Sequence, residues 1–345
     1  MRKFNVAVVG ATGAVGEELF RVMADYDFPV NNIVPLASAK SAGSKIEYKN
    51  KEYTVLELTE TAFEENEVDI AFFSAGGNIS EKFAKYAVEA GAVVIDNTSH
   101  FRMVPNVPLV VPEVNPEDIA LWRETGIIAN PNCSTIQMVL SLKPLDELYG
   151  IKRVDVSTYQ AVSGAGKAGM EELVTQMQDF FAFKLDESKK DAFAHQIALN
   201  VIPQIDVQQP NDFTKEEMKM VNETQKILHK EVQVAATCVR VPVLRSHSES
   251  ITVTFDENID VDVDEVRNSL ENFENVEVID DLANNAYPMP IVSTDTDMTY
   301  VGRIRKDVYA PNIVHFFNVA DQVRVGAATN SVRIALKWIE MESDI

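Results

Sequence analysis

The chain has 345 residues, with 31 Lys and Arg against 53 Asp and Glu, for a formal net charge of −22. A content of 46% apolar residues and 8% aromatics supplies sizeable cores, rules out disorder along the whole chain, and suits two domains at this length. So acidic a surface repels phosphate backbones and anionic headgroups, which excludes charge-driven binding of nucleic acid or membrane, and any anionic substrate needs a locally basic site.

The elements begin at once. Residues 4–9 (FNVAVV) form a β-branched-rich run that ends at Gly10, after which Val15, Leu19, Val22 and Met23 recur at helical spacing. Met1-Arg2-Lys3 ahead of this apolar stretch imitates a signal peptide, but three glycines interrupt it and Glu17-Glu18 follow directly, so strand, tight turn and helix is the reading. Apolar runs at 33–37, 68–74, 92–95 and 126–129, with a helical 81–90 among them, imply a parallel sheet covered on both faces. Beyond Leu148 the runs at 153–159, 250–256 and 302–305 alternate apolar with polar residues, which predicts antiparallel strands with one solvated or domain-facing side. A polar segment at 184–190 and a charged helix at 215–231 interrupt this half, and 322–340 reads as a last helix. No run approaches the ~18 apolar residues that span a bilayer. Only two cysteines, Cys133 and Cys238, point to a reducing cytosol and a cytoplasmic location.

Three glycines, Gly10, Gly13 and Gly16, stand between the first strand and first helix. They suit a tight turn, close approach of a pyrophosphate and close packing of helix on sheet, the signature of a dinucleotide site. A site for NAD places an acid at the end of the second strand, about 20 residues on. Here that strand runs into Leu36-Ala37-Ser38-Ala39-Lys40-Ser41, two hydroxyls and a cation, which suit the 2′-phosphate of NADP.

Residues 128–137 (IANPNCSTIQ) end a strand, turn and open a helix, so Cys133 lies near a helix N-terminus where amide dipoles favour thiolate and make it a candidate nucleophile. Cys238 falls inside a strand and reads as a small buried hydrophobe. Thr214 and Glu217 form a capping box, leaving Glu216 and Lys219 on one helix face, which taken alone is an ordinary surface pair. Arg240, Arg245 and His247 are candidate anion binders or bases, and the residue types alone do not choose among His100, His195, His229, His247 and His315. Residues 164–168 (GAGKA) imitate a phosphate loop but have Ala161 and Ala168 where that motif needs Gly and Ser or Thr.

Taken in order, GATGAVG, ASAKSAG, DNTSHFR, ANPNCSTIQ, STYQAVSGAG, EEMK, CVRVPVLRSHSES and VGRIRKD make the chain resemble the bacterial-type aspartate-semialdehyde dehydrogenase family over nearly its whole length. The resemblance implies an α/β protein. Its first part is a Rossmann-like NADP-binding domain over 1–132 plus 325–345, and 133–324 forms an α+β catalytic and dimerisation domain of the glyceraldehyde-3-phosphate-dehydrogenase-like type. It implies Cys133 as nucleophile, His247 as acid/base and Gln160 as the glutamine that orients the substrate. Arg240 matches the clamp on the substrate α-carboxylate, Glu216 the acid that meets the α-ammonium, and Arg102, Asn132 and Lys219 the phosphate-binding residues. Cofactor contacts match Gly10, Thr12, Gly13, Ala14, Val15, Gly16, Ser38, Ser41, Ala75, Gly76 and Asn330, with Lys40 where relatives commonly have Arg. The implied reaction is reversible reduction of L-aspartyl 4-phosphate to aspartate 4-semialdehyde and inorganic phosphate through a cysteine thioester, serving lysine, threonine, methionine and isoleucine biosynthesis. It calls for no metal, and the assembly implied is a homodimer or tetramer. The sister enzyme N-acetyl-γ-glutamyl-phosphate reductase and a non-catalytic NADPH-binding homologue are the alternatives; Asn132 and Glu216 argue against the first, and the complete set of Cys133, Gln160, Arg240 and His247 against the second.

Overall fold

The structure, a computed structural model, describes residues 2–343, which fall into two compact units: residues 2–132 with 327–343, and Cys133–Gly326. In the first unit β1 (Phe4–Val9), α1 (Ala14–Asp25) and β2 (Val30–Ala37) lead into a small hairpin of β3 (Lys45–Tyr48) and β4 (Lys51–Thr54). There follow β5 (Leu56–Glu57), α2 (Ala62–Glu65), β6 (Ile70–Phe73), α3 (Gly77–Glu89), β7 (Val93–Asp96), α4 (Trp122–Thr125) and β8 (Ile127–Ala129). The sheet runs β5-β2-β1-β6-β7-β8 with every pair parallel. Apart from the exposed edge strand β5 and the start of β2, its strands are buried on both faces, as the apolar runs require, and Val6, Val8, Ile70, Phe72, Val93 and Ile95 pack with Leu19, Val22 and Met23 of α1 in one core.

The second unit holds α5 (Cys133–Tyr149), β9 (Arg153–Gln160), α6 (Gly166–Phe181), α7 (Lys215–Leu228), β10 (Gln233–Arg240), β11 (His247–Thr254), α8 (Val263–Glu271), β12 (Val276–Val278), α9 (Pro290–Ser293), β13 (Thr299–Lys306) and β14 (Ile313–Ala320). Its sheet, β10-β9-β11-β14-β13-β12, corrects the expectation of purely antiparallel pairing: β9 runs parallel to β10, and β12 to β13. Alternation reports which side of a strand is buried and says nothing about direction, and the long excursion through α6 and α7 between β9 and β10 permits a parallel return. Arg240 of β10 lies opposite Gln160 of β9, and one step along the sheet Cys238, Thr158, Glu249 and Asn318 form a row across four strands. Helix α5 is buried from Ser134 to Leu142 rather than along a single stripe, because it is packed against the sheet and against α7 and α8.

The last helix also differs from expectation. Instead of one α-helix from residue 322, a π-helical turn covers Arg324–Ala328 before α10 (Thr329–Ser343), with the Gly326 amide donating to the Asp321 carbonyl at 3.3 Å. Among the described residues no helix is long and apolar enough to cross a membrane.

Candidate active site

In the first unit the glycine turn after β1 is shaped by sterics. Gly10 has φ of +90°, and a Cβ on Gly16 would stand 2.1 Å from the Gly10 carbonyl oxygen, so only glycine at 16 lets α1 start this close behind β1. Thr12 and Gly13 complete the turn, and Ala14 and Val15 open α1, whose first amides receive no side-chain cap from Gly13. A second such start lies at Ala75 and Gly76, where Gly76 has φ of +100°, open space around its Cα and an uncapped α3 behind it. Ser38, Lys40 and Ser41 follow β2 in a turn closed by Ser41 N–H on the Ser38 carbonyl at 2.9 Å, with Lys40 exposed and no carboxylate among residues 38–43. Two helix starts without a side-chain cap from the preceding residue, and a turn in which Gly16 admits no Cβ, fit a dinucleotide.

The remaining expected residues of this unit are buried. Arg102 donates from Nε to the Asn130 carbonyl and from Nη2 to the Asn97 carbonyl, both at 2.9 Å. Asn130 is itself held by Asn330, whose amide nitrogen donates to Asn130 Oδ1 at 2.7 Å and to the Val110 carbonyl at 3.0 Å. Asn330 thus has a structural task, tying α10 to the segment that leads to Asn132. Asn132, also buried, is the last residue before Cys133.

In the second unit Cys133 is the first residue of α5 and is partly exposed. Gly326, in the π-helical turn, lies against it: a Cβ there would come within 2.6 Å of Cys133 Cβ. The next residue, Ser134, accepts a 2.7 Å bond from Gln160 Nε2, which also reaches Glu216 Oε1 at 3.3 Å. Glu216 Oε2 lies 2.9 Å from Lys219 Nζ, and Lys219 makes a second 2.9 Å contact with Asp206. The pair that reads as a surface decoration is therefore largely buried: Glu216 is 6% exposed. The box of Thr214 and Glu217 is present as expected, and it turns α7 so that Glu216 and Lys219 face Gln160. Burial alone would push the Lys219 ammonium down, but the carboxylates of Glu216 and Asp206 outweigh it and hold its pKa above the usual value.

Arg240 and His247 meet at one backbone residue. The Ala161 carbonyl accepts from Arg240 Nη1 at 2.7 Å, and the Ala161 amide donates to His247 Nδ1 at 3.0 Å. Since that amide can only donate, Nδ1 carries no proton and the neutral ring holds its hydrogen on Nε2. His247 is completely buried, and burial, reinforced by the Arg240 charge, drives its pKa down to about 3. Arg240 is buried too, which lowers its own pKa against the opposing pull of Glu216 and Cys133. Gly164 makes this packing possible, for a Cβ on it would sit 2.6 Å from Arg240 Nη1 and 3.3 Å from the His247 ring. Two of the other candidates are occupied elsewhere: Arg245 pairs with Asp295 and Asp321, and His315 lies between Asp307 and Thr252. Cys238 is fully buried, with its thiol pushed well up by burial, as its strand position suggests.

Sequence reasoning missed Ser134, Ala161, Gly164, Asp206 and Gly326. Ser134 lies in the motif around Cys133, and Ala161 and Gly164 belong to the imitation phosphate loop, but none of the three shows its task there; Ala161 acts through its backbone, which no side-chain motif encodes.

Comparisons with known proteins identify the family. Residues 5–122 match the family model of a semialdehyde dehydrogenase NAD binding domain, and residues 142–325 that of a semialdehyde dehydrogenase dimerisation domain. The chain is 66% identical over 342 residues to an aspartate-semialdehyde dehydrogenase of Campylobacter jejuni, covering 99% of both chains. Its structure matches that of aspartate semialdehyde dehydrogenase II complexed with ASA from Vibrio cholerae with a TM-score of 0.94 at 45% identity, over 99% of each chain. It matches an aspartate semialdehyde dehydrogenase with NADP from Candida albicans with a TM-score of 0.74 at 26% identity, over 100% of each chain. The chain belongs to the aspartate-semialdehyde dehydrogenase family.

Proposed function

We propose that this chain catalyses the reversible, NADP-dependent reductive dephosphorylation of L-aspartyl 4-phosphate to L-aspartate 4-semialdehyde, in the biosynthesis of lysine, threonine, methionine and isoleucine. The observation that carries it is the continuous set in the second unit: a cysteine at a helix start, Arg240 and His247 bound to one backbone residue, and the chain Ser134–Gln160–Glu216–Lys219–Asp206.

Each residue's chemistry assigns its part. Cys133 attacks the acyl phosphate, phosphate leaves, and the resulting thioester is reduced to a hemithioacetal that expels the thiolate and releases the aldehyde. The first amides of α5 face the oxygen that gains charge. His247 offers its Nε2–H to the thiolate and then to that oxygen; a second proton on Nδ1 would break the bond from Ala161, so the ring stays neutral. Arg240 clamps the α-carboxylate with its guanidinium fork, and Glu216, kept in place by Lys219 and Gln160, meets the α-ammonium. Arg102, Asn132 and Lys219 take the phosphate. NADPH supplies the hydride when bound, held by the Gly10–Gly16 turn, Ala75, Gly76, Ser38 and Ser41, with Lys40 as a point charge for the 2′-phosphate. We assign residues 1–132 plus 325–345 to cofactor binding and 133–324 to catalysis and dimerisation.

The outer face of the second sheet supports a homodimer. Tyr159 is 41% exposed there, its ring tilted against that of Phe317 with centroids 6.1 Å apart, beside a cleft of about 460 Å³ with Ser248, Ser250, Arg303 and Arg305 on its wall. Turnover of aspartate semialdehyde with phosphate and NADP by the purified protein, abolished in Cys133→Ala with NADP binding retained, is the expected result. Turnover by the Cys133→Ala variant would overturn the assignment.

A further inference from the structure

We propose that Phe193, carried by the polar segment 184–194, is a positioning residue for the anion clamp Arg240 and a wall of the substrate pocket; the proposal rests on the reading that Arg240 holds the substrate carboxylate. Apart from the short 3₁₀ turn Leu185–Glu187, the segment has no regular structure, so side chains must fasten it. Two from consecutive turns of α6 do. Glu172, buried, accepts the amides of Asp191 at 2.8 Å and Ala192 at 2.5 Å. Gln176, buried completely, donates to the Lys189 carbonyl at 3.1 Å and accepts the amides of Ile197 at 2.9 Å and Ala198 at 3.0 Å. A 3.1 Å bond joins the two side chains. Phe193 is thereby pinned between fastened backbone on either side.

It packs on the cluster of Val162, Leu173, Ile197, Ala198 and Ile202, and its ring lies 6.0 Å from Arg240 Cζ. Gly169 makes room for it: a Cβ there would stand 3.1 Å from Phe193 Cζ. Phe193 and Arg240 line a cavity of about 300 Å³ together with Ile202, Ile205 and Asp206. The choice of an aromatic has a physical reason. A carboxylate beside Arg240 would stabilise it but compete with the substrate, whereas the ring face attracts the cation and leaves its hydrogen-bond donors free. With Ala161 holding Nη1, the ring restricts the guanidinium to one orientation, so little ordering remains when the substrate carboxylate arrives.

Steady-state kinetics test this. Phe193→Leu, which keeps apolar bulk and loses the ring, is expected to raise KM for aspartate semialdehyde ~5–30-fold, the range of a cation–π contact. Its kcat and its KM for NADP should stay within about twofold, and Phe193→Tyr should restore the KM. Glu172→Gln, which loosens the segment without touching Arg240, should raise the same KM. A Phe193→Leu KM within twofold of the unaltered protein, while Arg240→Lys raises it, overturns the role of Phe193. An unchanged KM in Arg240→Lys removes the clamp itself and the proposal with it.

Discussion

His247 gives stability a pH dependence that can be worked from its surroundings. Its pKa is about 3 in the folded protein, against an ordinary 6.5, because it is fully buried beside Arg240. The unfolded chain therefore binds a proton that the native state refuses, and the stabilisation is complete above pH 6.5 and lost as pH falls toward 3. At one pKa unit per 1.36 kcal/mol, the loss between pH 7.5 and 5.0 is about 2 kcal/mol, or ~4–8 °C in Tm for a domain of 150–250 residues. His247→Gln keeps a buried polar side chain but has no proton to gain. Calorimetry of both proteins at the two pH values should show the unaltered protein losing ~4–8 °C more than the variant on acidification. Parallel shifts within 1 °C would mean that His247 accepts its proton in the folded state and that the Nδ1 bond does not hold.

Three further outcomes follow from other parts of the molecule. Gly326→Ala forces a methyl within 2.6 Å of Cys133 Cβ; kcat should fall on the order of 100-fold with NADP affinity intact, by kinetics and fluorescence titration, and an unchanged kcat would separate the π-helical turn from catalysis. Burial holds the Glu249 carboxyl well above its usual range, against the pull of the Asn318 and Gln137 amides, so native stability declines as pH rises past 4.5; Glu249→Gln should gain Tm relative to the unaltered protein from pH 5 to pH 8, and no gain would place an ionised carboxylate in that row. Lys40→Ala should narrow the preference for NADP over NAD, and raising salt should do the same in the unaltered protein, since an exposed lysine acts on the 2′-phosphate through a screened charge; equal kcat/KM for both cofactors before mutation would refute the reading of this loop.

Local patterns survived translation into structure. The turn of Gly10, Gly13 and Gly16 and the box of Thr214 and Glu217 are settled within a few residues of chain, so they could be read directly. Cys133 at the start of a helix belongs to the same class. What stayed hidden depends on distant chain meeting. Asp206 gains its place only because Lys219 reaches it, Gly164 and Gly326 matter only through the side chains packed on them, and Ala161 works through a peptide group that any residue except proline provides. The parallel return of β10 beside β9 is likewise a property of a connection of over seventy residues, not of either strand.

The adjacent acids of α7 look redundant and are not. Glu217 spends one oxygen on the Thr214 amide at 2.7 Å and the other on the Cys238 amide at 3.0 Å, which leaves it a purely architectural role. Glu216 faces Lys219 and Gln160, side chains to which the proposed substrate site assigns work of its own. Alleles at the two codons would thus separate in a complementation screen: those at 217 would be rescued by growth in the cold, and those at 216 would fail at every temperature.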